Sequence, residues 1–284
     1  MEEDFGGYLP GEGGKHRRLE VSIPVLLLIL VFIVVAWKLG WLASIPVIGD
    51  VFGAPALNVL LVGQDNNIRS QLEEIRTDLR INVDPISIDQ LNSIASPEYL
   101  KKYNLVILSP TIAENGADLP DTFRNYLGKY LEGNGKLVMY GVAGSRDPKS
   151  SSTNGWVAHI GDFIPVRCRD PPTLGVCDAQ QSSFQFPVTK LSMKVLQPEN
   201  SIVKEFGTTV PFDQGGSVTV TPVNVVKGSA QTLVRIDYDP GTGETRTFAA
   251  VVWYEFGFGG KVVYFAYEPW KTPRLFQNVI KALR

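Results

Sequence analysis

The chain is poor in the side chains that most often carry metals, crosslinks and catalysis. Its 284 residues include only 2 cysteines, 2 histidines and 3 methionines. His16, His159, Cys168 and Cys177 do not fall into any zinc-ligand spacing, and two cysteines are too few for a disulfide-dense fold. No metal or cofactor is expected. No Asn-x-Ser/Thr sequon occurs. An excess of charge is also missing: 27 Lys+Arg face 29 Asp+Glu, a formal net charge of −2, so nothing electrostatic recommends nucleic acid as a partner. Glycine and proline are at ordinary levels, and 44% of residues are hydrophobic, which excludes a collagen-like or a disordered chain.

What the sequence does have is one long apolar run. Residues 21–37 carry no charge, and seven consecutive Val, Leu or Ile residues at 25–31 leave no polar face to meet water. Extended past Lys38, a helix over 21–42 spans roughly 33 Å, enough for a hydrocarbon core of about 30 Å. Pro24 falls in its first turn, where a missing N–H costs little. Trp37 and Trp41 suit one interface, with Lys38 snorkelling. A cleaved signal peptide needs a small-x-small site after the run, where Trp41-Leu42-Ala43 is a poor match. A pilin-type leader is processed directly before the run, where Leu19-Glu20 intervenes. The run therefore reads as a retained signal anchor contacting membrane lipid. Lys15-His16-Arg17-Arg18 before it, against Lys38 after it, places the N-terminus in the cytoplasm and the remainder outside.

The domain organisation follows. Residues 1–20 read as a disordered cytoplasmic tail, 21–42 as the anchor and 43–56 as a juxtamembrane linker. Residues 57–284 read as one α/β domain that is formally neutral. The apolar run at 57–62, ending at Gly63, predicts a buried parallel strand. Asn67 is placed to cap a helix bearing Ile68, Leu72, Ile75 and Leu79. Strands at 81–88, 105–108 and 137–140 alternate with helical patterns, the last carrying Phe123, Tyr126, Leu127, Tyr130 and Leu131. This βαβαβαβ order predicts a parallel sheet with helices on both faces. From 216 onward, strands at 216–226, 231–238, 247–256 and 261–267, separated by turn signals, predict an antiparallel C-terminal extension. Pro222 implies an edge or bulge in the first of these. A final helix is expected after Thr272-Pro273, with Leu275, Phe276, Val279, Ile280 and Leu283 on one face.

Ligands of open α/β sheets bind outside the carboxyl ends of the strands. Those ends carry Asp65, then Ser109 and Thr111, then Gly141, Val142, Ala143, Gly144 and Ser145, and finally Glu268. Asp65, Ser109 and Thr111 serve equally well as helix caps. The segments Tyr140-Gly141-Val142-Ala143-Gly144, Phe163-Ile164-Pro165-Val166 and Gly259-Gly260-Lys261-Val262-Val263-Tyr264-Phe265-Ala266-Tyr267-Glu268 resemble the class I glutamine amidotransferase-like fold. The nearest likeness is to trehalose-utilisation-type members without amidotransferase activity. The resemblance spans about residues 57–284 and implies a flavodoxin-like α/β sandwich. It also implies a nucleophile elbow, Gly-x-Cys-x-Gly, and a late His-x-Glu pair. In this sequence the elbow centre falls on Val142, Tyr140 stands where the first Gly belongs, and no His lies near Glu268. Without thiol and base the family's mechanism is gone, so the site is expected to be catalytically degenerate.

Ser145, His159 and Asp162 are the components of a conceivable alternative triad, which would make the chain an envelope hydrolase. His159 reads equally as a packing residue. Gly257-Phe258-Gly259-Gly260 has no following helix and reads as a hairpin turn, not a phosphate cradle. Cys168 and Cys177 bracket a loop-like segment and, outside the cell, are expected to form a disulfide; two unpaired buried thiols are the other reading. The leading expectation is a membrane-anchored, outward-facing protein that binds a partner protein or a small ligand. A structural role within a membrane or filament assembly is the third.

Overall fold

In a computed structural model the apolar run Leu57–Val62 forms strand β1, as its hydropathy requires. Helices α1 (Asn66–Glu74) and α2 (Arg76–Leu79) follow, then β2 (Ile81–Ile86), α3 (Ile88–Leu91) and a 3-10 turn over Pro97–Lys102. Next come β3 (Leu105–Leu108), α4 (Asp121–Glu132) and β4 (Lys136–Tyr140). A run of strands succeeds them: β5 (Val166–Cys168), β6 (Phe184–Pro187), β7 (Leu191–Val195), β8 (Thr209–Val210), β9 (Ser217–Val220) and β10 (Val223–Val225). The chain ends with β11 (Gln231–Tyr238), β12 (Arg246–Phe256), β13 (Gly260–Phe265), a 3-10 turn over Pro269–Lys271 and α5 (Pro273–Ala282). The structure describes residues 24, 26–35, 56–94, 96–110, 119–145, 156, 160–168, 183–213, 215–241, 243–257 and 259–284.

Nine strands make one mixed sheet in the order β2-β1-β3-β4-β13-β12-β11-β7-β8. The first five are mutually parallel. The remaining four continue antiparallel from β13. The parallel portion has flavodoxin-like order. Both faces are covered. One core contains Val59, Leu61, Val263 and Phe265, packed against Ile68 and Leu72 of α1 and Leu275, Phe276 and Val279 of α5. The other contains Leu60, Val62, Val262 and Tyr264 against Leu91 of α3 and Phe123, Leu127 and Leu131 of α4. The period-2 alternation of each strand divides its side chains between these two cores.

The antiparallel strands are not a C-terminal extension, as expected, but an excursion between β4 and β13. Strand β13 pairs antiparallel with β12 and parallel with β4, so the last strand closes the parallel sheet. The expected strand 216–226 is two strands. Pro222 offers no N–H to a ladder, and there the chain leaves the β6–β9 ribbon for the β5–β10 ribbon. Strands β5, β6, β7 and β8 were not foreseen.

The chain divides into two units, Met1–Pro55 and Ala56–Arg284, and the sheet lies in the second. In the first, residues 24 and 26–35 are helical. Side chains 26–35 are all apolar and 43% to 70% exposed. Among the described residues no helix is long and apolar enough to cross a membrane. The remainder of the expected anchor, the expected tail and linker residues 43–55 lie outside the described residues.

Candidate ligand-binding site

From β1 the chain runs outward to the edge strand β2 and returns past β1 to β3. The strand order therefore reverses at β1, which leaves a crevice above the carboxyl ends of β1 and β3. Those two ends are tied together: the Ser109 hydroxyl donates to the Val62 carbonyl at 2.9 Å and the Ser109 N–H to the same carbonyl at 3.0 Å. Gly63, with φ +105°, passes so close that a side chain there would overlap the Ser109 hydroxyl. Only glycine tolerates both the conformation and the approach.

Asp65 is the N-cap of α1, two residues earlier than the expected Asn67. Its Oδ1 accepts the Asn67 N–H at 2.9 Å and the Ile68 N–H at 3.1 Å. Its Oδ2 accepts a short hydrogen bond from the Tyr140 hydroxyl at the end of β4. Burial pushes the Tyr140 phenol far above the ordinary tyrosine range, and the Asp65 carboxylate adds to the shift as charge and as acceptor. Ser109 opposes it, and the Glu268 carboxylate adds a smaller push. Tyr140 is thus a fixed neutral donor and not a phenolate base or nucleophile. Its ring meets Trp270 edge-on, with centroids 5.7 Å apart.

After Tyr140 the chain turns sharply. The left-handed residue is Gly141 (φ +56°), whose N–H donates to the Phe265 carbonyl at 2.9 Å and whose carbonyl accepts from the Tyr264 hydroxyl at 3.1 Å. Gly144 is also left-handed, at φ +69°. The sharp turn therefore falls one residue before Val142, the expected elbow centre, and neither Gly141 nor Val142 offers a thiol or hydroxyl. Beyond Gly141 the turn dives under the surface. Ala143 and Ser145 are buried, and the Trp156 indole donates to the Ala143 carbonyl at 2.7 Å.

The opposite wall comes from β13 and the β6–β9 ribbon. An isolated bridge joins Val220 to Tyr267, and the Thr221 N–H donates to the Ala266 carbonyl at 2.7 Å. Glu268 is held by the Thr219 N–H, which donates to Oε2 at 2.8 Å. The Tyr267 hydroxyl shares a hydrogen bond of 2.7 Å with the Thr272 hydroxyl; burial raises its pKa while Thr272 opposes the rise. That bond explains why Thr272, at the N-cap position of α5, makes no side-chain cap. Ser183 and Thr221 share a hydrogen bond of 2.8 Å between their hydroxyls.

These walls enclose a cavity of about 580 Å³. Its floor is Tyr140, Gly141, Val142 and Pro110, and its sides are Asp65 with Gln64, Asn66 and Asn67 on one flank and Gln185, Thr219, Glu268 and Trp270 on the other. Among the described residues that line it there is no thiol, imidazole, Lys or Arg. A neighbouring hollow of about 400 Å³ shares Gln64, Asp65 and Asn66 and is lined by Arg69.

Of the residues expected from sequence, Asp65, Gly141, Val142 and Glu268 meet at this cavity. Ser109 lies beneath it, bonded to backbone. Ala143, Gly144 and Ser145 do not line it. Thr111, His159 and Cys177 lie outside the described residues, so the Ser145–His159 arrangement is not described. Asp162 is exposed, with Lys227 Nζ 4.0 Å away. Cys168 is buried in β5, and no described cysteine is free. Tyr140, Trp270, Ser183, Gln185, Thr219 and Thr221 were not foreseen. Tyr140, the last residue of an expected strand, and Trp270, two residues beyond Glu268, carried a local signal.

No family model matches the chain, and no curated protein matches it. Solved structures similar to it include Agd3, a carbohydrate deacetylase, at 11% identity and a TM-score of 0.48, covering 75% of this chain and 29% of that one. The chain thus spans less than a third of the deacetylase's length. Another is a protein from Thermoplasma acidophilum described as a GMP synthase subunit, at 13% identity and a TM-score of 0.41, covering 80% of this chain and 94% of that one.

Proposed function

We propose that this chain is a single-pass, outward-facing membrane protein whose amidotransferase-like domain has lost catalysis and binds a small ligand at the strand ends. The observation that carries the reading is the cavity at the point where strand order reverses, with Gly141 at the sharp turn and neither thiol nor imidazole among the described residues of its lining. A nucleophile and a base are the minimum for the acyl transfer that such an elbow serves. Tyr140 is locked as a neutral donor, and Ser145 is buried away from the cavity, which disfavours the hydrolase alternative.

Anchoring is supported by side chains 26–35, which are apolar on every side. These ten side chains are about half exposed, so leaving them in water forgoes roughly 8–15 kcal/mol relative to burying them. The basic flank at Lys15-His16-Arg17-Arg18 favours a cytoplasmic N-terminus. An exported domain also suits a Cys168–Cys177 disulfide.

Two assays on the full chain test this. Presented with amide, ester and glycoside substrates, it gives no turnover above background; turnover that disappears in Glu268→Gln contradicts the non-catalytic reading. A membrane-impermeant thiol label applied to intact cells reaches a cysteine placed at Ser229 and not one placed at Tyr8; the reverse pattern overturns the orientation.

A further inference from the structure

The cavity has acceptors and negative charge in excess. Asp65 and Glu268 stand on opposite flanks, and both press on the Tyr140 phenol between them. Neither pairs with a Lys or Arg among the described residues. Asp65 is already engaged through both oxygens. Glu268 uses Oε2 for the Thr219 N–H, and its Oε1 has no hydrogen-bond partner among the described residues. Ser183 and Thr221 spend a hydroxyl on each other. Trp270, half-buried, presents an aromatic surface at the same flank as Glu268. The nearest described base on α1, Arg69, lines the neighbouring hollow instead.

We infer that the ligand of this cavity is a cation, an amine-bearing small molecule whose ammonium sits between Glu268 and Asp65 and against Trp270. This rests on the cavity being a ligand site, as proposed above. A carboxylate or phosphate ligand would meet two carboxylates and, among the described lining residues, no cation to offset them. An uncharged polyol would leave both carboxylates without a counter-charge in a half-enclosed site. An ammonium supplies three donors to a site with spare acceptors, gains from both charges, and gains again over an aromatic face. The remaining Asn and Gln amides suit hydroxyl or amide groups elsewhere on the same molecule.

The test uses the full chain in nanodiscs of zwitterionic lipid and two matched pairs of probes: cadaverine with 1,5-pentanediol, and glucosamine with glucose. Binding is read by titration calorimetry. At low salt each amine binds at least about tenfold more tightly than its uncharged partner, and the advantage shrinks as salt is raised. Glu268→Gln keeps an acceptor for the Thr219 N–H, so it keeps the fold and its melting temperature yet abolishes the amine preference. Gln185→Trp, which fills the mouth from an exposed strand position, weakens every probe. If the uncharged partners bind as tightly as the amines and Gln185→Trp still weakens them, the cavity stands and the cationic ligand is overturned. If no probe binds the wild type, both the inference and the cavity reading are overturned.

Discussion

The hydroxyl of Tyr140, at the end of β4, donates to the Asp65 carboxylate that caps α1. One hydrogen bond thus joins a helix start on one side of β1 to the strand two positions away, across the mouth of the crevice. Tyr140→Phe should destabilise the domain by about 1–2 kcal/mol, since the acceptor is charged but half-exposed. Asp65→Ala should cost about 0.5–2 kcal/mol from the lost cap alone, and Asp65→Asn much less, because asparagine also caps. Chemical denaturation of the single and double variants measures the coupling. Additive effects of Tyr140→Phe and Asp65→Ala would show that the two groups do not interact.

Gly63 is the point of closest approach between the ends of β1 and β3. Gly63→Ala should cost about 1–3 kcal/mol in backbone strain, with a further penalty from overlap with the Ser109 hydroxyl. Ser109→Ala removes the overlap but also the hydroxyl's hydrogen bond to the Val62 carbonyl, so it should cost less in the Gly63→Ala background than in the wild type. Equal costs in the two backgrounds would contradict the assigned contact.

Alkaline pH should unfold the domain through its buried phenols. Burial pushes Tyr130 up to about 12, and raises Tyr264 and Tyr267 as well. In the unfolded chain the same groups ionise near 10, so the folded state holds more protons above that pH and loses stability as pH rises. For Tyr130 the window is pH 10 to about 12. Each such phenol removes about 1.4 kcal/mol per pH unit within its window. The expected result is a constant midpoint below pH 9 and a steep fall above 10, with tyrosinate absorbance appearing together with unfolding. Tyrosinate absorbance that rises fully near pH 10 in the still folded protein would contradict the burial assignments.

The cysteine pair makes a redox prediction. Under non-reducing conditions neither Cys168 nor Cys177 should take up an alkylating reagent in denaturant. Reduction should then expose both and lower stability by about 2–3 kcal/mol, the loop-closure contribution of so short a loop. Alkylation without reduction would contradict the pairing.

The parallel half of the fold was legible because its strands are short apolar runs that alternate with helical spacing, as at 57–62, which ends at Gly63, and at 105–108, which ends at Ser109-Pro110. Asp65 and Glu268 could be placed at the site because the strand-end rule needs only element order. The ribbon that shares a flank with Glu268 was not legible. Thr219, Thr221 and Gln185 belong to a ribbon whose contact with the end of β13 is made by the Thr221 N–H and the Ala266 carbonyl. That closure depends on long-range packing with no local pattern. Ala143, Gly144 and Ser145 were expected at the surface because they follow a strand end, but the left-handed turn at Gly141 sends them inward, where Trp156 holds Ala143. The antiparallel strands were read in order but given the wrong place, because the pairing of β13 with β4 spans the whole excursion.

The proposed binding of a small ligand between Asp65 and Glu268 is tested most directly by ligand-observed NMR on the full chain in nanodiscs. Wild type and Gln185→Trp are screened against the same mixtures of small amines, sugars and amino acids. The expected result is a subset of compounds, amines among them, that contact the wild type and lose that contact in the occluded variant, with both proteins equally folded. Contacts that are the same in both proteins, or absent from both, would contradict it.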